Sequence, residues 1–330
     1  TTTTGPVALG LTKVVGTAEF NAGGPVTQSD DVQVSGKTTI TAPGQNITLN
    51  RSGNDFGGLV TVSGKDVTLG DKNTLDLTAA VSGNLSTSSG DLTIRGDVGG
   101  NLVTTTTGPV ALGLTKVVGT AVLNAGGSVT QDDDVQVTGT TTVKAAGQNV
   151  VLDRAGNDFG GRVTVDGRDV SLRDLSGLIL EAQASGTLTT TSQGLLLGTT
   201  TVDGVARIAS SGSVTQDGDI TFKSTTMIDA PGQSVILDRP QNDFAAPLTI
   251  TAGETALQDR NLLEVRLNTT NTQLTAGQLK LEGQVRLAGS SLWSSGTTIE
   301  LGNLEFAGSG TARLVSNGDS AAMPTTKVEG

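Results

Sequence analysis

The chain has 330 residues, a net charge of −11, no Cys, no His and only 2% aromatic residues. The lack of Cys excludes disulfides, and the lack of His removes the commonest general base and the commonest metal ligand. An acidic chain also suits nucleic acid poorly, because phosphates need a basic surface. No apolar run is long enough to span a membrane.

Internal repeats account for most of the chain. The first begins at Thr1 as TTTTGPVALGLTKVVGTA and returns 103 residues later at Thr104, and GSVTQDDDVQV at Gly127 returns 85 residues later as GSVTQDGDITF. The two shifts differ by 18 residues, which is the size of one coil of a solenoid. We therefore expect about five coils in the first copy and four in the second.

The repeats predict three related modules within one continuous shaft, 1–316. The modules span about 1–103, 104–188 and 189–316, and an irregular C-terminal tail is expected at 317–330. Because Thr1 already lies inside a repeat, we expect a mature or truncated product.

Apolar and polar residues alternate within each repeat, as at Val32 and Val34 and again at Ile47 and Leu49. This period of two predicts short strands with one buried face, and the Gly, Asn and Asp residues between them predict tight turns. Short strands also suit an antiparallel sandwich, but the loss of one strand there reverses every later strand. Because the loss of one coil leaves a parallel β-helix in register, the coil-sized difference predicts an all-β solenoid of roughly 20-residue coils.

One ten-residue segment occurs three times, as LNRSGNDFGG, LDRAGNDFGG and LDRPQNDFAA. Its Phe is predicted to be a core anchor, and its Arg and Asp, four residues apart, are predicted to pair across the turn. These structural residues are Arg51, Asp55 and Phe56, Arg154, Asp158 and Phe159, and Arg239, Asp243 and Phe244. A repeated ligand site is the alternative, although the change to Ala245 and Ala246 argues against a strict glycine geometry there.

Acidic turns recur at Asp30 and Asp31 and at Asp133 and Asp134, with Asp219 in the third copy. Carboxylates of this kind are able to hold calcium, but these lack the EF-hand and nonapeptide spacings. We therefore expect solvated turns and no metal, no cofactor and no catalytic residue.

The tripeptide Arg95-Gly96-Asp97 matches an integrin-recognition signal. It directly follows the apolar residues Leu92 and Ile94, which predicts a tight coil corner rather than a protruding loop. An ordinary turn is therefore expected, with cell contact as the alternative.

The segments GGSVTQDDDVQVTGTTTV and GQNVVLDRAGNDFGG, with coils of about 20 residues and no Cys, resemble the filamentous-haemagglutinin-like exoproteins of bacterial two-partner secretion systems. The resemblance implies a right-handed, single-stranded parallel β-helix that is exported through an outer-membrane transporter. It implies a secreted protein that is extracellular or displayed at the bacterial cell surface. Such a protein acts in attachment to host cells, neighbouring cells or surfaces, in biofilm matrix, or as a stalk for a terminal effector.

Two other functions stay open at this stage. Copies of the chain joined end to end would form an extracellular filament, sheath or surface layer, because a bare β-helix end is an unpaired sheet edge. A β-helix enzyme that acts on polysaccharides shares the fold, but it needs clustered carboxylates and aromatic platforms that the sequence does not indicate.

Overall fold

The computed structural model describes residues 1–286, 290–307 and 311–316, and within these residues the chain contains strands and no helix. The strands form a parallel β-solenoid of about 16 turns with coils of about 19 residues. The predicted all-β solenoid is therefore confirmed. The tail predicted at 317–330 lies outside the described residues. The chain forms two compact units, Thr1–Arg168 and Asp169–Gly330.

The first unit contains 23 strands. They are β1 (Thr2–Thr3), β2 (Val7–Leu9), β3 (Thr12–Val14), β4 (Ala18–Ala22), β5 (Val26–Gln28), β6 (Val32–Val34), β7 (Thr38–Thr41), β8 (Ile47–Leu49), β9 (Asp55–Phe56), β10 (Val60–Gly64), β11 (Val67–Gly70), β12 (Thr74–Val81), β13 (Leu85–Ser89), β14 (Asp91–Val98), β15 (Leu102–Thr106), β16 (Val110–Val117), β17 (Ala121–Ala125), β18 (Val129–Gln131), β19 (Val135–Val137), β20 (Thr141–Lys144), β21 (Val150–Leu152), β22 (Asp158–Phe159) and β23 (Val163–Gly167).

The described part of the second unit contains the strands β24 (Val170–Arg173), β25 (Gly177–Ala184), β26 (Leu188–Ser192), β27 (Gly194–Val202), β28 (Ala206–Ser210), β29 (Val214–Gln216), β30 (Ile220–Phe222), β31 (Thr226–Leu237), β32 (Asp243–Phe244), β33 (Leu248–Gln258), β34 (Leu262–Thr269), β35 (Asn271–Arg286), β36 (Ser290–Ala307) and β37 (Thr311–Ser316). One in-register row of this unit runs through Val170, Leu188, Ala206, Thr226, Leu248, Val265, Leu281 and Leu301.

Each coil of the first unit has three faces, and equivalent residues of successive coils pair in parallel. The first face carries the row Phe20, Ile40, Val62, Ala79, Gly96, Thr115 and Val135. The second face carries Val7, Val26, Ile47, Val67, Leu85, Leu102, Ala121, Thr141 and Val163. The third face carries two separate rows, the first of Val14, Val34 and Phe56 and the second of Leu75, Leu92, Val110, Val129 and Val150.

Copies of the repeat within this unit do not lie on the same face. Val7 belongs to the second face, whereas Val110, its equivalent 103 residues later, belongs to the third. Val14 belongs to the third face, whereas its equivalent Val117 pairs with Val98 on the first. The 103 residues therefore comprise five coils and one further face, rather than a whole number of coils. The difference between two repeat lengths measures one coil but does not show whether either length is a whole number of coils.

Candidate functional site: the recurring Asn-Asp-Phe module

The Asn-Asp-Phe module comprises Leu49–Gly58, Leu152–Gly161 and Leu237–Ala246. In each copy a strand ends at the Leu, a turn follows, and the next short strand consists of the Asp and the Phe. The Phe points inward, and Phe56, Phe159 and Phe244 are at most 2% exposed. Phe244 also contacts Phe222 of the preceding coil, with ring centroids 5.9 Å apart. The structure thus places all three aromatic rings in the solenoid interior.

The module Arg pairs with the acidic turn of the preceding coil. Its Nε lies 3.0 Å from the carboxylate of Asp31 for Arg51, 3.4 Å from that of Asp134 for Arg154, and 2.8 Å from that of Asp219 for Arg239. In the first and third copies the predicted pair of Arg and Asp across the turn is therefore wrong. Successive coils stack about 4.8 Å apart. This spacing is smaller than the distance between two residues on opposite sides of a turn. The carboxylates of the acidic turns instead form ion pairs with these arginines.

The module Asp pairs in the other direction along the solenoid. The carboxylate of Asp55 lies 2.8 Å from Lys72 Nζ, and Asp243 pairs with Arg260 in the same way. The nearby carboxylate raises the pKa of Lys72, first by hydrogen bonding and then by charge attraction. Asp158 also has a polar partner. Solvent screens the exposed Lys72–Asp55 pair, so it links the two coils only weakly.

A buried Asn that the sequence interpretation missed also links the module to the preceding coil. The side chain of Asn54 is fully buried, and its Oδ1 accepts a hydrogen bond of 2.9 Å from the backbone N–H of Val32. Gln28 donates to the same oxygen at 2.7 Å, while Asn54 Nδ2 donates to Gln28 Oε1 and to the carbonyl of Leu49. The amide is therefore fully satisfied and fixes the turn.

The same amide pair occurs in all three copies. Gln131 pairs with Asn157 and Gln216 with Asn242, each across the same 26 residues as the first pair. This constant spacing of Gln and Asn is a signal that the sequence contains, and it would have identified both residues.

A buried carboxylate of the following coil also binds the module. Asp71 is 4% exposed, and its carboxylate accepts hydrogen bonds from the backbone N–H groups of Phe56 at 2.7 Å and Asn73 at 2.7 Å. Asp259 accepts equivalent bonds from Phe244 at 2.6 Å and from Asn261 at 2.5 Å. Burial raises the pKa of both carboxyls, although the two hydrogen bonds oppose the shift.

The tripeptide Arg95-Gly96-Asp97 lies inside the eight-residue strand β14 and not in a turn. The pairing of β14 with β16 is irregular between Ile94 and Gly96, and Gly96 has a φ of +118°. A side chain at Gly96 would lie 1.9 Å from the carbonyl oxygen of Ala79, so only glycine fits this bend. Arg95 pairs with Asp76 at 2.8 Å, and Asp97 is exposed. The expected turn is therefore wrong: the corner is a kink within a strand, because the neighbouring coils continue its hydrogen bonding.

The polar residues of the module connect successive coils. Within the described residues no group of three or more carboxylates is placed to hold a metal ion. No helix in this part of the chain is long and apolar enough to cross a membrane. The Arg, Asn and Asp side chains of the module instead bind atoms of the coils before and after them.

Comparison with known proteins identifies one family. A family model described as repeats of unknown function (DUF5649) matches residues 1–63, 99–166 and 184–251, and each matched segment contains one Asn-Asp-Phe module. Searches of curated proteins and of solved structures found no match.

Proposed function

Because the chain belongs to the DUF5649 family of repeats of unknown function, we propose a function from its own structure: a non-enzymatic structural and adhesive shaft of a large bacterial surface exoprotein. The observation that carries this proposal is that the recurring polar residues bind neighbouring coils. Arg51, Asn54 and Asp55 each bind a neighbouring coil, so a segment that recurs in all three copies joins coils together.

The fold suits a load-bearing element. Every coil of a solenoid hydrogen-bonds to the next along its length, and stability is the sum of such neighbouring contacts. The ion pairs and amide pairs of the module add a side-chain link at intervals along the backbone ladder. A shaft of this kind extends a surface without needing a catalytic centre.

The sequence resemblance to filamentous-haemagglutinin-like exoproteins supports the proposed export route and location. It suggests export through an outer-membrane transporter and a location at the bacterial cell surface or outside the cell. The proposed partners are host-cell, neighbouring-cell or other surfaces.

The test is to display the chain on a non-adherent bacterium and to count cells that attach to host-cell layers, to each other and to a bare surface. We expect attachment several-fold above cells that carry the empty display system. The matched variant replaces Asn54, Asn157 and Asn242 by Ala, which leaves the outer surface unchanged but loosens the coils. It should lose the gain in attachment.

The same display strain separates the remaining alternatives. Asp97→Glu keeps the charge of the exposed tripeptide residue, so a large loss of attachment to host cells alone would assign the contact to that tripeptide. Well-folded wild-type protein that raises attachment to none of the three surfaces would overturn the adhesive function. Release of reducing sugar ends from polysaccharides by the purified chain would overturn the non-enzymatic one.

A further inference from the structure

Two copies of a short apolar stripe are exposed on the first unit. The Leu-Lys-Val stripes consist of Leu11, Lys13 and Val15 and of their repeat equivalents Leu114, Lys116 and Val118. Val15 is 99% exposed and Val118 62%. The described residues of this unit have five exposed large hydrophobic side chains, and four of them belong to the stripes. Single exposed apolar residues are ordinary, but their concentration in two equivalent places is not.

The two stripes lie on different faces of the same unit. Lys13 belongs to the third face, where it pairs in register with Gln33 and through it with Asp55. Lys116 belongs to the first face, between Asp97 of the coil before and Gln136 of the coil after. The second stripe is therefore exposed although its strand has neighbours on both sides.

The third copy of the repeat shows that the fold does not need the stripe. The residues equivalent to Leu114, Lys116 and Val118 are Thr199, Thr201 and Asp203. Asp203 forms an ion pair of 2.7 Å with Lys223 of the next coil, so a polar surface replaces the apolar one.

The second stripe is complementary to itself in charge. Neither Lys13 nor Lys116 forms an ion pair within the described residues, and Lys116 lies beside the exposed carboxylate of Asp97. Two copies that meet face to face in antiparallel orientation would place Lys116 of each against Asp97 of the other. Beside Val15 a groove of about 440 Å³, bordered by Ser35 and Gly57, offers room for a small apolar side chain.

We propose that the two Leu-Lys-Val stripes are lateral docking sites for second copies of this chain. Each contact would bury the Leu and Val, and the contact at the second stripe would also pair Lys116 with Asp97. Because the sites lie on two faces, each chain would bind two neighbours side by side. This association goes beyond the adhesive function and does not depend on it.

The test is sedimentation of the purified chain over a range of concentrations. The wild type should form species larger than dimers. The double variant Leu114→Thr and Val118→Asp carries residues that the third copy already uses, so it should fold, and with one stripe left it should stop at dimers. Adding Leu11→Thr and Val15→Asp should leave monomers. The control Val103→Thr changes an apolar residue that is 39% exposed outside the stripes, and it should associate like the wild type.

A charge reversal tests the orientation of the contact within the Leu11→Thr, Val15→Asp background. Lys116→Asp and Asp97→Lys should each weaken dimerisation at least about tenfold, because like charges then meet. An equimolar mixture of the two should dimerise again, because each chain supplies the charge that the other needs. Far-UV circular dichroism checks that each variant is folded. A monomeric wild type, unchanged association of the stripe variants, or failure of the mixture to dimerise would overturn the proposal.

Discussion

At the scale of the residue, the side-chain amide of Asn54 bonds to buried backbone groups, whereas the charged groups of its module form ion pairs that are partly exposed. It satisfies the N–H of Val32 and the carbonyl of Leu49, both of which are buried beside it. Asn54→Ala should lower the free energy of unfolding by about 1–3 kcal/mol, because these groups lose their partner away from water. Chemical denaturation measures the loss.

The control for this change lies in the same ten residues. Asn50 is exposed, so Asn50→Ala should alter stability by less than about 0.5 kcal/mol. Equal losses from the two variants would show that burial of the amide is not what matters.

The buried carboxyl of Asp259 gives stability a particular dependence on pH. Burial raises its pKa above the ordinary 3.8, so the folded chain binds this proton more tightly than the unfolded chain. The stability gained from this tighter proton binding is therefore present at low pH, and it is lost as the pH rises through the folded pKa. Asp259→Asn leaves one of two buried N–H groups without an acceptor and should cost about 1–3 kcal/mol. That cost should be larger near pH 4 than at pH 7.

The single Trp reports on this change. Trp293 is fully buried in the same unit, and its indole donates to Thr272 at 2.5 Å, so its fluorescence follows unfolding there. Asp229→Asn changes an exposed carboxylate of the unit and serves as the control. A cost of Asp259→Asn that grows as the pH rises would contradict the prediction.

At the scale of the element, alternation was sufficient to predict strands but not the direction of every side chain. Runs of Thr place side chains on both faces of a strand: Thr104 and Thr106 of one run and Thr190 of another are buried, whereas Thr105 is exposed. Thr suits both sides of a strand because its β-branched carbon packs like that of Val while its hydroxyl tolerates water. The sequence pattern also did not reveal the kink at Gly96, because a strand can bend while its hydrogen bonds to the neighbouring strands continue.

The Phe of the module should act on its own coil more than on the whole unit. Phe159 is 1% exposed and pairs in register with Val137 of the preceding coil. Phe159→Ala should cost about 3–5 kcal/mol through lost burial and the cavity that remains. Because a solenoid couples mainly neighbouring coils, faster hydrogen exchange should be concentrated in β19 and β22.

Val103→Ala provides the comparison for this variant. Its side chain is 39% exposed in the same unit, so little stability and little exchange protection should be lost. Uniformly faster exchange throughout the unit after Phe159→Ala would show that the solenoid unfolds as one block.

At the scale of the whole molecule, the repeats predicted the class of fold and the size of a coil but not the placement of the modules. The shift from Val14 to Val117 moves an equivalent residue to another face, and only the pairing of strands reveals this. The partners of the module Arg were hidden for the same reason, since they depend on which residues of adjacent coils stack. Spacing along the chain cannot supply that register unless the exact length of each coil is known.

Stability of the whole molecule should not depend on a bound metal ion. The sequence has 32 acidic residues against 21 basic ones, and its acidic turns are the place to look for cations. Asp31, Asp134 and Asp219 of these turns already pair with arginines, and the described residues contain no cluster of three or more metal-ligand candidates. Protein prepared without chelator should therefore melt within about two degrees of protein treated with EDTA, because removal of a metal destabilises only a fold that binds it. Added calcium should be equally without effect. A fall of many degrees with EDTA that calcium restores would show that the aspartate turns hold cations and that their arginine pairs are secondary.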